Sequence, residues 1–332
     1  MPESESFCLR FDHASIKVKC SSPELSARLK EYLRLHVRPE EDCHAGLEVH
    51  LQKVLSPIPT HARLALRYYG LKIFFHSGRT YFTDFRSYLT LDESGRKAEA
   101  YVSPETIEES GMHFLTHIFF TISLFEMLRH QGVFFLHSAA LVSPEGKGYV
   151  FPASAGQGKS TLAVYLLRRG YKYLSDDTIF LTQNGKSLNI LGFEKVSHLS
   201  EEVIGRFAEL KIFSDAPRLE NRGKQLVDLE KAFPGSRVHE NRKSGAIIFL
   251  NRVANGKSAL KPMSRLEAFH QLLGQNPFAY INPGLAQKHL DIFKQFVAQN
   301  QVWLLESGKD WIENPNVLQG LMEGAVSERK NQ

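Results

Sequence analysis

Residues 151–161 read Phe-Pro-Ala-Ser-Ala-Gly-Gln-Gly-Lys-Ser-Thr. Two glycines, a lysine and two adjacent hydroxyls stand in the order that a phosphate-gripping loop requires. The stretch follows an apolar run that reads as a strand (148–152) and precedes one that reads as a helix (159–169). That context matters, because glycines bring successive main-chain N–H groups onto phosphate oxygens where the loop feeds the positive end of a helix. In such a loop Ser154, Ala155, Gly156, Gln157, Gly158, Lys159, Ser160 and Thr161 would cradle the phosphates of ATP. Lys159 would reach the β- and γ-phosphates, and the Ser160 hydroxyl would ligate a bound Mg2+. One position departs from the pattern G-x-x-x-x-G-K-[ST]. Its first glycine falls at Ala153, where a side chain predicts an altered start to the loop if the backbone there is left-handed.

Asp176 and Asp177 come 17 residues after Lys159, in the sequence Tyr-Leu-Ser-Asp-Asp-Thr-Ile-Phe-Leu. Adjacent carboxylates among Leu174, Ile179, Phe180 and Leu181 are costly in a half-buried strand, here expected over 173–182, unless they meet a cation or move a proton. One can hold the metal and the other can accept the proton of an attacking hydroxyl. Spacing does not separate the two roles; we take Asp176 as the base and Asp177, with Ser160, as the metal side. An acidic turn at a strand end would give the same letters. His137 stands in an apolar run, Phe-Phe-Leu-His-Ser-Ala-Ala-Leu-Val, expected as one strand over 133–142. A lone histidine there is usually a satisfied core residue, but its place one strand before the loop makes it a candidate for the site.

Taken together, Leu136-His137-Ser138-Ala139, the loop 154–161 and Leu174-Ser175-Asp176-Asp177 resemble the catalytic core of the HPr kinase/phosphorylase family. The resemblance is specific over about residues 133–182. It implies an α/β kinase domain whose mixed sheet is similar to that of ATP-dependent phosphoenolpyruvate carboxykinase. It also implies ATP and Mg2+ as cofactors, a protein or peptide bearing a serine as acceptor, and a homo-oligomer. By the same match His137, Lys159, Ser160, Asp176 and Asp177 take active-site roles. Three departures stand out. Thr161 occupies a position where enzymes that phosphorylate HPr carry glutamate, no arginine–glycine signature follows Asp177, and residues 1–130 do not resemble the family's N-terminal domain. The acceptor therefore stays open between a protein serine and a small molecule such as free serine, and a nucleotide-binding regulatory protein is the reading from another class.

The rest of the chain must position these groups. Its 332 residues favour two domains, expected as a smaller α+β domain over 1–130 and the kinase-like α/β domain over 131–325. In the first, 15–20 alternates at period two, Ser22-Pro23 opens a helix over 24–36, and strands follow near 46–55, 71–76, 80–85 and 88–91. In the second, strands and helices alternate to the C-terminal helix at 311–322. The basic run Asn221-Arg222-Gly223-Lys224 could neutralise phosphate charge or be a solvated loop. Net charge is +5 with the charges interspersed, which gives no sign of a nucleic-acid partner. Cys8, Cys20 and Cys43 form no disulfide or zinc pattern, as in a cytoplasmic protein. The apolar run 112–128 is interrupted by His113, Thr116, His117, Thr121, Ser123 and Glu126. It is too short and polar to span a bilayer comfortably, so a buried helix and no membrane segment are expected.

Overall fold

The computed structural model describes residues 4–39, 42–154, 156–193, 196–216, 223–241, 243, 245–253 and 256–327. By their contacts they form two compact units, Met1–Phe134 with Pro277–Asp291, and Phe135–Asn276 with Ile292–Gln332.

The first unit is a nine-stranded mixed sheet. Its strands run Val37–Arg38, Glu5–Phe11, Ala14–Cys20, Ala45–Leu51, Lys97–Val102, Tyr88–Leu91, Arg79–Thr83, Leu71–His76, Arg63–Tyr68 across the sheet. In Ala14–Cys20 the odd-even alternation is as read: Ile16, Val18 and Cys20 are buried while Lys17 and Lys19 face out. Ser22 caps the helix Pro23–Tyr32 by accepting from the Leu25 N–H, and this helix connects the parallel strands Ala14–Cys20 and Ala45–Leu51. A helical run covers Pro104–His130, with a π-helical stretch at Phe114–Phe120. It is long and apolar enough to cross a membrane by length and composition, yet 78% of its most apolar window is buried within the protein, as a core helix requires.

Near the end of that run, the fully buried Arg129 pairs with Glu126 at 2.6 Å and donates to the carbonyls of Phe278 and Ala279. Phe278 also meets the Tyr68 ring edge-on at 4.7 Å. These bonds explain why Pro277–Asp291, expected in the second domain, groups with the first unit. A buried guanidinium keeps every nearby acceptor it can reach.

The second unit holds a six-stranded sheet ordered Lys172–Ser175, Ala139–Val142, Gly148–Phe151, Ala246–Arg252, Gln301–Ser307, Ala259–Pro262. Gly148–Phe151, Ala246–Arg252 and Gln301–Ser307 pair in parallel and the remaining neighbours are antiparallel. The sheet is therefore mixed, as expected. A second sheet runs Val133–His137, Thr178–Asn184, Ser187–Gly192, Glu240–Asn241, and a hairpin pairs Ser197–Ser200 with Lys224–Val227.

Two expected strands prove to be four. The run 133–142 breaks at Ser138 into Val133–His137 and Ala139–Val142, and the run 173–182 breaks at the two aspartates into Lys172–Ser175 and Thr178–Asn184. In each case the chain leaves one sheet and joins the other. Strands buried on both faces read as continuous apolar runs, so the sequence pattern carries no mark of where the change occurs. Gly192 permits the close packing beside the acidic corner: a Cβ there would stand 2.1 Å from the Leu174 carbonyl oxygen.

Candidate functional site

The strand Gly148–Phe151 runs into the loop, and the helix Lys159–Leu167 leaves it. Leu162 through Leu167 are all buried, so the helix is seated in the core and its N-terminus is held still. Gly156 and Gly158 have φ of 84° and 94°, and Gly158 is the left-handed N-cap of the helix. Space is open where their Cβ atoms would be; the glycines are needed for backbone conformation, not to relieve crowding. Gln157 braces the loop from outside by accepting the Arg252 N–H at 2.9 Å. Ser154 is exposed, and Thr161 is half-buried behind the loop. Ala155 lies outside the described residues.

Ala153 is not left-handed. Its methyl is 1% exposed and packs in the core cluster that includes Phe151 and Leu162. The departure from glycine is accommodated by the fold, because this backbone position has no need of glycine's freedom.

Around the loop the structure brings together the remaining candidates. The Lys159 ammonium donates to the Ala153 carbonyl and lies 3.2 Å from His137 Nε2. An ammonium has no lone pair to offer, so Nε2 accepts and the ring proton belongs on Nδ1. Nδ1 faces Asp177, whose Oδ1 is 3.6 Å away. Burial lowers the pKa of the His137 imidazole, with the Lys159 charge assisting and Asp177 opposing. Burial thus favours the neutral ring and Asp177 the charged one. Burial also lowers the Lys159 ammonium from its ordinary value, against the pull of both aspartates.

The two aspartates occupy different surroundings. Asp176 is 5% exposed and accepts from Ser160 Oγ at 3.3 Å. Burial, then the neighbouring Asp177 charge, pushes its carboxyl up to about 6, although Lys159, Lys224 and a main-chain hydrogen bond from His198 work the other way. The Asp177 side chain is 48% exposed. Its partial burial is outweighed by His137, Lys159, His198 and Lys224, which hold it below the usual carboxylate value.

Two further participants, His198 and Asn276, were not singled out by sequence, and a third, Lys224, was marked only as part of a basic run. Lys224, at the start of its strand, exerts its charge on Asp176, Asp177, Lys159 and His137; Asn221 and Arg222 of the same basic run lie outside the described residues. His198 sits opposite Leu226 in the hairpin. Asn276 receives the main-chain N–H of His137 at 2.8 Å. Neither His198 nor Asn276 has a local motif that could have marked it. Lys224 alone had a signal, the basic run.

Among the described residues no group of three His, Cys, Asp or Glu is placed to hold a metal ion unaided. That fits Mg2+, which takes one or two protein oxygens and fills its shell with water and phosphate. Ser160 Oγ and Asp176 Oδ1 offer two such oxygens side by side. A separate cavity of about 820 Å3 opens on the first unit's sheet, lined by Lys17, Glu48, Arg79, Arg96 and Glu99 among others. It contains none of the loop residues and has no part in this arrangement.

The fold is mixed α/β, and it gathers a lysine, a hydroxyl, two carboxylates and an imidazole beside a glycine loop that feeds a buried helix. No known family profile matches the chain. A protein of Fusobacterium nucleatum subsp. nucleatum, provisionally named HPr kinase/phosphorylase, is 27% identical over 135 residues, 41% of this chain. The match spans 18% of that relative's length. The HPr(Ser) kinase/phosphatase of Coxiella burnetii aligns structurally over 39% of this chain and 72% of its own, at 17% identity and a TM-score of 0.27. Over those 135 residues the chain is similar to a protein named for the family that its motifs resemble.

Proposed function

We propose that this chain is an ATP- and Mg2+-dependent kinase that transfers the γ-phosphate to a serine hydroxyl of a protein or peptide, acting in the cytoplasm as a P-loop enzyme of the HPr-kinase-like type. One observation carries the reading: Lys159, Ser160, His137, Asp176 and Asp177, from three separate stretches of chain, form one connected set of contacts at the mouth of the glycine loop. A core histidine or an acidic turn would have no reason to meet the loop lysine and hydroxyl.

In this reading the main-chain N–H groups of residues 154–161 hold the phosphates. The Lys159 ammonium exchanges the Ala153 carbonyl for phosphate oxygens, which leaves His137 Nε2 to hydrogen-bond elsewhere. Bound Mg2+ would neutralise charge on the phosphoryl oxygens. The contacts favour an exchange of the two aspartate roles taken from the sequence. Asp176 touches the Ser160 hydroxyl, the pairing by which phosphate-loop enzymes hold their metal. Asp177 is the carboxylate with an open face, and a base must reach its substrate. The serine oxygen then bonds to the γ-phosphorus as the bond to the β–γ bridging oxygen breaks. ADP leaves, and the serine proton passes to the Asp177 carboxylate, which the neutral His137 ring orients.

The test is transfer from γ-labelled ATP by the purified full chain, with host extract, serine-bearing peptides and free serine as separate acceptors. Label in a protein or peptide serine is the expected result. Label in free serine alone would mark a small-molecule kinase, and tight Mg·ATP binding with no label anywhere would mark a regulatory protein.

A further inference from the structure

We infer that Asn276 is a positioning residue that fixes His137 for phosphoryl transfer; the role in transfer rests on the kinase reading above, while the positioning itself does not. His137 ends the strand Val133–His137, which among the described residues is the outermost strand of its sheet, beside Thr178–Asn184. A main-chain N–H on the outer side of such a strand has no partner strand to receive it. At His137 that N–H goes to the side-chain oxygen of Asn276 at 2.8 Å. The next N–H, of Ser138, goes to the opposite side, to the Asp177 carbonyl at 2.9 Å. The segment that carries the imidazole is thus suspended between the acidic corner and Asn276.

The other end of Asn276 is equally committed. It follows the helix Arg265–Gln275 as its C-cap, its main-chain N–H bonds the Leu273 carbonyl at 3.2 Å, and its Nδ2 donates to the Leu272 carbonyl at 2.6 Å. A helix C-terminus leaves such carbonyls without intrahelical donors. Asn276 is 0% exposed, so neither bond can be replaced by bulk water. The side-chain amide supplies an acceptor for the strand N–H on one atom and a donor for the helix carbonyl on another; an ionised carboxylate can do the first and not the second. Asn276 makes no hydrogen bond to the described loop residues or to the aspartates. Its effect is on the imidazole's place between Lys159 and Asp177, where a shift of an ångström separates a hydrogen bond from none.

The experiment compares the full-length wild type with Asn276→Asp, which is nearly isosteric, and Asn276→Leu, which removes both bonds. The His137 ring is followed by nitrogen NMR through a pH titration, assigned with His137→Gln. In the wild type the ring should titrate below the ordinary histidine range, with the proton on Nδ1. In both variants the titration should move up toward the ordinary range and the tautomers should mix. Mg·ATP affinity should stay within about threefold while kcat falls at least about tenfold, the pattern of a contact used in the reacting state. A folded variant with wild-type ring titration and kcat overturns the proposal. Should both variants fail to fold, amide exchange in the wild type decides: strong protection of the His137 N–H supports it, and exchange as fast as a free edge amide overturns it. If the wild type transfers no phosphate, the kinase reading falls, and the ring titration still judges the positioning.

Discussion

Ser138 donates its main-chain N–H to the carbonyl of Asp177 at 2.9 Å, and this bond joins the two points at which the chain passes between the sheets of the second unit. At Ser138 it leaves the four-stranded sheet for the six-stranded one; at Asp176 and Asp177 it returns. Residues at such corners are released from strand pairing on at least one side. Their side chains can turn toward a ligand while their backbones stay anchored on both sheets. The fold puts His137 and the acidic pair at these adjoining corners, with the loop lysine within 3.2 Å of the imidazole.

The lysine is the first point of attack. Lys159→Ala removes the loop's own ammonium, whose charge-assisted bonds to phosphate would be worth about 2–3 kcal/mol. We expect Mg·ATP affinity to fall by about 30- to 150-fold in titration calorimetry, with the unfolding midpoint little changed or raised, since burial disfavours this charge in the free protein. Unchanged affinity would mean that the loop does not grip the nucleotide.

How much of this was legible in the sequence follows from what each residue's neighbours look like. The loop could be read because Gly158, Lys159 and Ser160 are consecutive and flanked by unlike elements, so local pattern and three-dimensional arrangement coincide. The aspartates were visible as charges in an apolar run, but their different surroundings were not. Burial of Asp176 against Ser160 and exposure of Asp177 arise from a change of sheet that the run of Leu, Ile and Phe conceals. Asn276, 139 residues from His137, follows a helix like any other polar cap. The strands Glu5–Phe11, Arg63–Tyr68 and Lys97–Val102 were missed; Arg63–Tyr68, at the sheet edge, lacks the alternation that burial on one face imposes.

Asp176 should be a residue that function keeps at the expense of stability. Its carboxyl stands at about 6 in the fold against an ordinary 3.8. A raised value means that the folded state binds the proton more tightly than the unfolded chain. Stability is therefore lost as pH rises from about 4 to about 6 and is not regained above it. A shift of this size corresponds to about 2–3 kcal/mol. Asp176→Asn, neutral at all pH, should gain about 2 kcal/mol in denaturant unfolding at pH 7.5 and lose transfer. A variant no more stable than wild type at pH 7.5 would show that the charge is not strained there.

If the chain is the kinase proposed, the same group should set a pH limit on its activity. As pH falls through 6, Asp176 takes up a proton and can no longer serve as a metal ligand, so kcat/KM should fall on the acid side with a midpoint near the value of about 6. Metal and proton then compete for one carboxylate. Raising Mg2+ tenfold at fixed, saturating ATP should move that midpoint down by as much as about one pH unit. An acid limb indifferent to Mg2+ would put Asp176 back in the role of base and Asp177 on the metal.

The departure at Ala153 gives a test with an expected negative result. If the pattern's first glycine were needed for a left-handed backbone, restoring it would improve nucleotide binding. Here the backbone is not left-handed and the methyl is buried against the core. Ala153→Gly should therefore remove packing and add freedom to the unfolded chain, destabilising the protein by about 1 kcal/mol. Mg·ATP affinity should remain unchanged within error, because the groups that would meet phosphate begin one residue later. The Lys159 contact with the Ala153 carbonyl involves only main chain at that position, so it survives the substitution. Equilibrium unfolding and calorimetry on the same preparation check both halves. A clear gain in affinity would show that the methyl obstructs the loop, and that this chain's loop works below the capacity of the glycine form.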